Sequence, residues 1–242
     1  MTDSATLESA AADPTVFAYR DVLLAQSGQE GLRKGARTEL RIRWAACALL
    51  EECSLSGLKV QDICTRSEIA QGTFYQYFPD RDTLLSALLS DFVSFLGNRT
   101  IAATWGSEGH LDSVALSTRA FCELFAQNRG LMKCLLNHDE AFPQARKILQ
   151  TLNTAWIEKV VSSIKKKRPP QAGKKTSDRE LRRRCYALGS MVDQYLASIY
   201  LYEDADVSAV AGDLDSIVAT LTFIWNQAFA QEFLPQQPNH RT

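Results

Sequence analysis

Between Gln71 and Phe78 the chain places two glutamines, a threonine, two tyrosines, two phenylalanines and a glycine on one short segment, "QGTFYQYF". Phe74 and Phe78 are four apart and share one face of a helix, so Gln71, Thr73, Tyr75, Gln76 and Tyr77 point elsewhere. That outward set suits a nucleic-acid surface. Glutamine bonds a base edge at two points, threonine offers a hydroxyl or a methyl, and tyrosine hydroxyls reach phosphates. Gly72 weakens a helix by about 1 kcal/mol, a cost that makes sense if the backbone must approach a partner closely.

The elements around this segment are read as helices. Ile42, Ala45, Ala46, Leu49, Leu50 and Cys53 recur at three- and four-residue spacing and draw one apolar stripe. Val60 to Ser67 gives about two turns with Val60, Ile63 and Cys64 inward, and Glu68 to Ala70 interrupts before the glutamine-rich segment. Pro79 stops that segment, and Asp80 is placed to cap a helix beginning at Arg81. A helix, a three-residue turn and a second short helix is helix-turn-helix geometry, whose second helix enters the major groove of DNA. Upstream, Arg33, Lys34, Arg37, Arg41 and Arg43 stand against Glu39 alone, a local charge of +4 in a chain whose formal net charge is -1.

The stretch "IAQGTFYQYFPDRDTLL" resembles the TetR family of bacterial transcriptional regulators, with Ile63, Ile69, Gly72, Thr73, Phe74, Tyr75, Tyr77, Phe78 and Leu84 in register. The resemblance covers roughly residues 37 to 90. It implies an all-α fold, with an N-terminal three-helix helix-turn-helix DNA-binding domain and a helical ligand-binding and dimerisation domain. It implies that Gln71, Gly72, Thr73, Tyr75, Gln76 and Tyr77 face DNA, with Arg37, Lys59, Gln61 and Arg81 near phosphates. The chain departs from the family pattern at Cys64 and Ser67, usually alanines, at Glu68, usually glycine, and at Ala70, usually the serine that caps the recognition helix. Leu58 and Lys59 replace a threonine pair, and Arg81 replaces a phosphate-contacting lysine.

The rest of the 242 residues divides into an arm over 1–34, the DNA-binding domain over 35–82, a ligand-binding and dimerisation domain over 83–234 and a frayed tail over 235–242. The later helices are expected at 84–96, 114–127, 131–136, 141–167, 179–202 and 206–233, with "RPPQAGKKTSD" as a clear break. On the last two, Leu181, Leu188 and Val192 with Leu214, Ile217, Leu221, Ile224 and Trp225 form broad stripes read as the interface of a homodimer. The middle of the chain is expected to hold a small-molecule effector, with Phe121, Phe125, Phe142 and Trp156 as apolar lining and Arg119, His138, Asn153 and Asp193 as polar contacts. The expected effector is apolar or amphipathic.

From Lys165 to Arg184, ten basic residues stand against Asp178 and Glu180, a net of +8. This run is read as a solvated loop, paired with Glu203, Asp204 and Asp206 or with Asp213 and Asp215 of a neighbouring subunit. Six cysteines lie singly in apolar patterns without a paired spacing, and the three histidines are scattered. These features point to a reducing compartment and to thiols acting as small hydrophobes, with no metal or cofactor. No Ser/His/Asp constellation and no glycine-rich phosphate loop suggests an enzyme, and no apolar run of about 18 residues suggests a membrane span. The chain is thus expected to be a cytoplasmic DNA-binding regulator, with double-stranded operator DNA, a small effector and a second copy of itself as partners. A helical small-molecule or lipid carrier that ignores DNA sequence is the alternative.

Overall fold

The computed structural model describes residues 16–107, 109–136, 142–168 and 176–233, and every regular element among them is helical. In chain order the helices are α1 (Tyr19–Ser27), α2 (Lys34–Leu50), α3 (Val60–Ser67), α4 (Gln71–Tyr77), α5 (Arg81–Ala102), α6 (His110–Gln127), α7 (Arg129–Leu136), α8 (Gln144–Lys167), α9 (Asp178–Tyr200), α10 (Ala205–Ala211) and α11 (Leu214–Phe229). Short 3₁₀ turns at Leu55–Gly57 and Ala230–Glu232 complete them. No single helix among the described residues is long and apolar enough to cross a membrane. The chain forms two compact units, Met1–Ala102 with Glu123–Leu149, and Ala103–Cys122 with Gln150–Thr242. The unit that holds the helix-turn-helix therefore also takes in α5 and α7.

In the first unit, α2 is the hub against which α1, α3 and α7 pack. Its stripe of Ile42, Ala45, Ala46 and Leu50 is buried as the spacing requires. The small alanines let neighbouring backbones come close. The closest approach is at Gly130, the second residue of α7: a Cβ there would lie 2.4 Å from the Leu50 carbonyl oxygen. The Gly130 amide also donates to the Glu51 carboxylate at 3.1 Å, which ties the start of α7 to the end of α2.

Within the arm expected over 1–34, which the sequence allows at most a short helix, residues 19–27 form helix α1. Helix α1 docks with Tyr19, Val22 and Leu23 buried, and the Tyr19 ring lies 5.7 Å from Phe92 and 5.1 Å from Phe95. The buried Asn128 side chain fixes the entry to this helix. Its Oδ1 accepts from the Tyr19 amide at 2.7 Å, while its Nδ2 donates to the Phe17 carbonyl at 2.8 Å and to the Leu124 carbonyl at 2.7 Å. Composition suggested a loose segment because the apolar island is short; one buried amide more than a hundred residues away orders it.

In the second unit, Ile157, Val161 and Ile164 of α8 meet Leu181, Cys185 and Leu188 of α9 and Phe229 of α11 in a continuous core. The Trp225 ring stacks on Phe229 at 5.6 Å and meets Trp156 edge-on at 5.5 Å. The helix expected over 206–233 is broken in two. Gly212 takes φ 70°, and the Asp213 side chain caps α11 by accepting from the Ser216 amide at 2.9 Å. The tail at 235–242 lies outside the described residues. Cys47, Cys64, Cys122, Cys134 and Cys185 are buried, and burial pushes the Cys47 and Cys185 thiols up to about 12, in keeping with their use as small hydrophobes.

Replacing Asn128 with Ala strands the Tyr19 amide and two carbonyls at the α1 junction. Stability is expected to fall by about 2 to 4 kcal/mol, read from urea denaturation, with backbone amides of residues 19–27 losing hydrogen-exchange protection first.

Candidate nucleic-acid interface

Helix α3 ends in a left-handed turn. Glu68 takes φ 56° and ψ 45°, its amide donates to the Thr65 carbonyl at 3.2 Å, and the Ile69 amide donates to the Cys64 carbonyl at 3.0 Å. This pair of bonds is the Schellman arrangement, in which glycine is the usual left-handed residue. A glutamate here costs about 1 to 2 kcal/mol in backbone strain. Its carboxylate is turned onto Arg41 of α2 at 2.7 Å, which neutralises a charge that would repel phosphate.

Helix α4 follows with no side-chain cap, because Ala70 has no acceptor to offer. Seven uncapped residues with an internal glycine do not hold a helix alone. Phe74, fully buried, and Phe78, at 4 % exposure, hold it instead, with their rings 6.0 Å apart. Burial of two phenylalanines contributes roughly 3 to 6 kcal/mol, against about 1 kcal/mol each for the missing cap and for Gly72.

With the phenylalanines inward, Gln71, Gly72, Tyr75 and Gln76 are exposed and Thr73 is half-buried. The Tyr75 ring stands edge-on to Phe74 at 5.4 Å, so its direction outward is fixed. A Cβ on Gly72 would meet nothing within 4 Å. No internal packing requires glycine there, so close approach by something outside the chain remains as its reason. Tyr77 is half-buried, and its hydroxyl lies 3.5 Å from where a Cβ on Gly35 would stand, which seats the end of α4 against the first turn of α2.

The basic residues divide into two groups. Arg43 pairs with Glu39 at 2.7 Å and with Asp91, and its guanidinium lies 5.7 Å from the centre of the Phe78 ring. Arg37 donates to the carbonyls of Ser27 and Gln29 at 3.2 and 3.3 Å, closing the end of α1. Arg81 donates to the carbonyls of Leu55 and Leu58, each at 3.4 Å, and to Asp82 at 3.1 Å, so it braces the loop that leads into α3. Arg33, Lys34 and Lys59 are exposed, with no ion pair among the described residues. Gln61, exposed in the first turn of α3, joins them on the outer surface. The expected footprint of +4 is thus narrower than the count of charges implied, since Arg37, Arg41 and Arg43 are engaged within the fold, as Arg81 is beside it.

Of the residues expected to line an effector pocket, Phe125 and Phe142 are buried in the first unit, whereas Arg119, Phe121, Asn153, Trp156 and Asp193 belong to the second. His138 lies outside the described residues. Trp156 packs in the core against Trp225, and Arg119 pairs with Asp215. Burial pushes the Asp193 carboxyl up to about 6.

The residues expected at a dimer interface also serve their own unit. Leu181, Leu188, Val192, Ile217 and Leu221 are buried within their own chain, and Leu214, Ile224 and Trp225 are half-buried. Both helices must first cover their own unit. Among the residues they leave exposed are Tyr186, Ala187, Ser190 and Gln194 on α9 and Ala219, Thr220, Phe223 and Gln227 on α11. The basic run likewise finds partners other than those expected. Lys165 pairs with Asp178 at 2.8 Å, Arg182 with Glu158 at 2.7 Å, Arg184 with Glu180 at 3.3 Å, and Arg168 with the buried Glu232.

Residues 42–88 match the family model of the bacterial regulatory proteins of the tetR family. A search of curated protein sequences found no relative. Among solved structures, the chain is similar to a TetR-family transcriptional regulator from Syntrophomonas wolfei, at 17% identity and a TM-score of 0.63, over 81% of this chain and 96% of that one. It also aligns with a TetR transcriptional regulator from Rhodococcus sp. RHA1 at 17% identity and a TM-score of 0.48, over 78% of this chain and 95% of the other.

Glu68→Gly removes the strained left-handed glutamate and gives up only an exposed ion pair worth about 0.2 to 1 kcal/mol. The variant is expected to be more stable by about 0.5 to 1 kcal/mol, and to bind duplex DNA more tightly because Arg41 is released. Chemical denaturation and fluorescence anisotropy measure the two effects.

A carboxyl whose pKa is raised on folding holds its proton more tightly than the unfolded chain does. Asp193 therefore penalises folding by an amount that grows as pH rises from 3.8, the carboxyl's ordinary value, to about 6, and that is full above 6. Asp193→Asn is expected to raise the melting temperature at pH 7.5 and to raise it clearly less at pH 4.5, tested by thermal denaturation at both.

Proposed function

We propose that this chain, whose helix-turn-helix is that of the tetR family of bacterial regulatory proteins, is a homodimeric transcriptional repressor released from a palindromic operator by a small effector. The observation that carries the DNA-binding part is the outer face of α4. Gln71, Gly72, Tyr75 and Gln76 are exposed on a helix anchored by Phe74 and Phe78, and Gly72 has open space around it. In this reading Gln71 and Gln76 contact base edges, Thr73 and Tyr75 contact bases or phosphates, and Lys59, Gln61, Arg33 and Lys34 contact the flanking backbone. Arg37 and Arg81 act as positioning residues that set the angle of the two helices.

The dimer in this reading uses the exposed strips of α9 and α11, centred on Tyr186 and Phe223, which is 63% exposed. Two copies of this helix pair form a four-helix arrangement. Dimerisation joins two short recognition helices, so that the second half-site binds at high effective concentration. The effector site in this reading lies in the second unit around Asn153, Trp156 and Asp193. An effector acts to the extent that it binds better to a dimer whose recognition helices no longer match the groove spacing.

Selection from a randomised duplex pool is expected to enrich a palindrome bound with a steep salt dependence. Gln71→Ala and Tyr75→Ala are each expected to weaken that binding about tenfold or more, within the ~1 to 3 kcal/mol of a specific base contact. A pool that shows no enriched sequence at low salt would instead favour a carrier that binds small molecules alone.

Phe223→Asp is expected to convert a dimer into a monomer with unchanged helix content, seen by light scattering and circular dichroism, and to abolish palindrome binding. A variant that stays dimeric would place the interface elsewhere.

A further inference from the structure

On α8, Lys159, Ser162, Ser163 and Lys166 stand at positions i, i+3, i+4 and i+7, which makes one helical face of two ammonium groups and two hydroxyls. With Thr104, Glu158 and Lys167 they line an open groove of about 680 Å³ in the second unit. That is the size of a small-molecule site, but its lining is polar and cationic where such sites are usually apolar. From this geometry we infer that the groove is a binding site for a small molecule carrying a phosphoryl group, such as a diphosphate.

Three observations support the assignment. First, the groove holds unused donors. Ser162 and Ser163 make no hydrogen bond among the described residues, whereas Ser90, Ser94, Ser117 and Thr154 all donate back to the carbonyl four residues earlier. Lys159 and Lys166 likewise have no ion pair among the described residues. Second, one wall is fixed. The Lys167 ammonium is held by the Ser113 hydroxyl at 2.6 Å, which places its charge at the groove without cancelling it.

Third, the one carboxylate in the lining is already satisfied. Arg182 grips Glu158 at two points, 2.7 and 2.9 Å, and this holds the carboxyl below its usual pKa. The lining thus offers three cationic groups against one neutralised anion. The C-terminal end of α8, with its roughly half negative charge, opposes an anion here, and the three lysines outweigh it. Phosphoryl oxygens accept from ammonium groups and hydroxyls together, and a diphosphate supplies enough oxygens for two lysines a helical turn or two apart. A monovalent anion would leave part of the face unmatched.

The test is isothermal titration of the full chain with sodium pyrophosphate at constant ionic strength, with sodium chloride as the control. Wild type is expected to bind pyrophosphate, and K159A/K166A to bind at least about tenfold more weakly, as loss of two charge-assisted contacts implies. S162A/S163A is expected to give an intermediate loss. Both pairs are exposed, so equal melting temperatures without ligand are expected and confirm folding. Wild-type affinity no better than that of K159A/K166A, or heat reproduced by chloride, would overturn the assignment. Two further arms distinguish other phosphate sources: a non-palindromic DNA duplex and vesicles containing phosphatidic acid. Lysine-dependent binding to either of these, with none to pyrophosphate, would also overturn it. Because none of these variants touches α4, the result does not depend on whether the DNA-binding reading holds.

Discussion

The burial of Phe74 and Phe78 is the constraint on which the exposed face of α4 depends. Helix α4 has seven residues, an alanine where a cap belongs and a glycine in its second position. Local propensity works against it at each of those points. Two aromatic rings four residues apart outweigh the deficit, and because they share one face they also fix which residues look outward. The same burial makes Tyr75 rigid through its edge contact with Phe74, and it brings Arg43 over Phe78. Anchoring and presentation are therefore one interaction seen from two sides.

Beneath that helix the first unit is organised by close backbone approach and by a few long-range polar locks. Gly130 permits α7 to meet the end of α2, and Asn128 joins α1 to the corner between α6 and α7. Together they determine how α1 and α7 flank α2, and hence how firmly α2 supports α3 and α4. A glycine with no room for a Cβ and an amide with three bonds are both intolerant of change, for steric reasons in one case and for polar satisfaction in the other.

Charge in this protein serves structure as much as recognition. Arg37, Arg43 and Arg81 bind carbonyls and carboxylates of the DNA-binding domain itself, and Arg41 answers the glutamate forced into the left-handed turn. Along the basic run, acidic residues of α8 and α9 and the buried Glu232 absorb much of the excess. The cations left over are informative for that reason. Lys59 at the start of α3, and Lys159 and Lys166 on one face of α8, have no ion pair among the described residues.

Much of the architecture was legible in the chain because helical periodicity is local. The four-residue spacing of Phe74 and Phe78, the stripe from Ile42 to Leu50 and the stop at Pro79 follow from the geometry of 3.6 residues per turn, whatever surrounds them. The outward set on α4 could be read for the same reason. What only the tertiary structure decided is which partner each stripe and each charge finds. Leu181, Leu188 and Ile217 look the same in sequence whether they face a second subunit or their own core, and they face their own core. Arg37 and Arg81 look like phosphate ligands until the carbonyls that bind them are in place, and α1 looks like a loose arm until Asn128 reaches it. Those outcomes rest on contacts between residues far apart in the chain, for which periodicity carries no signal.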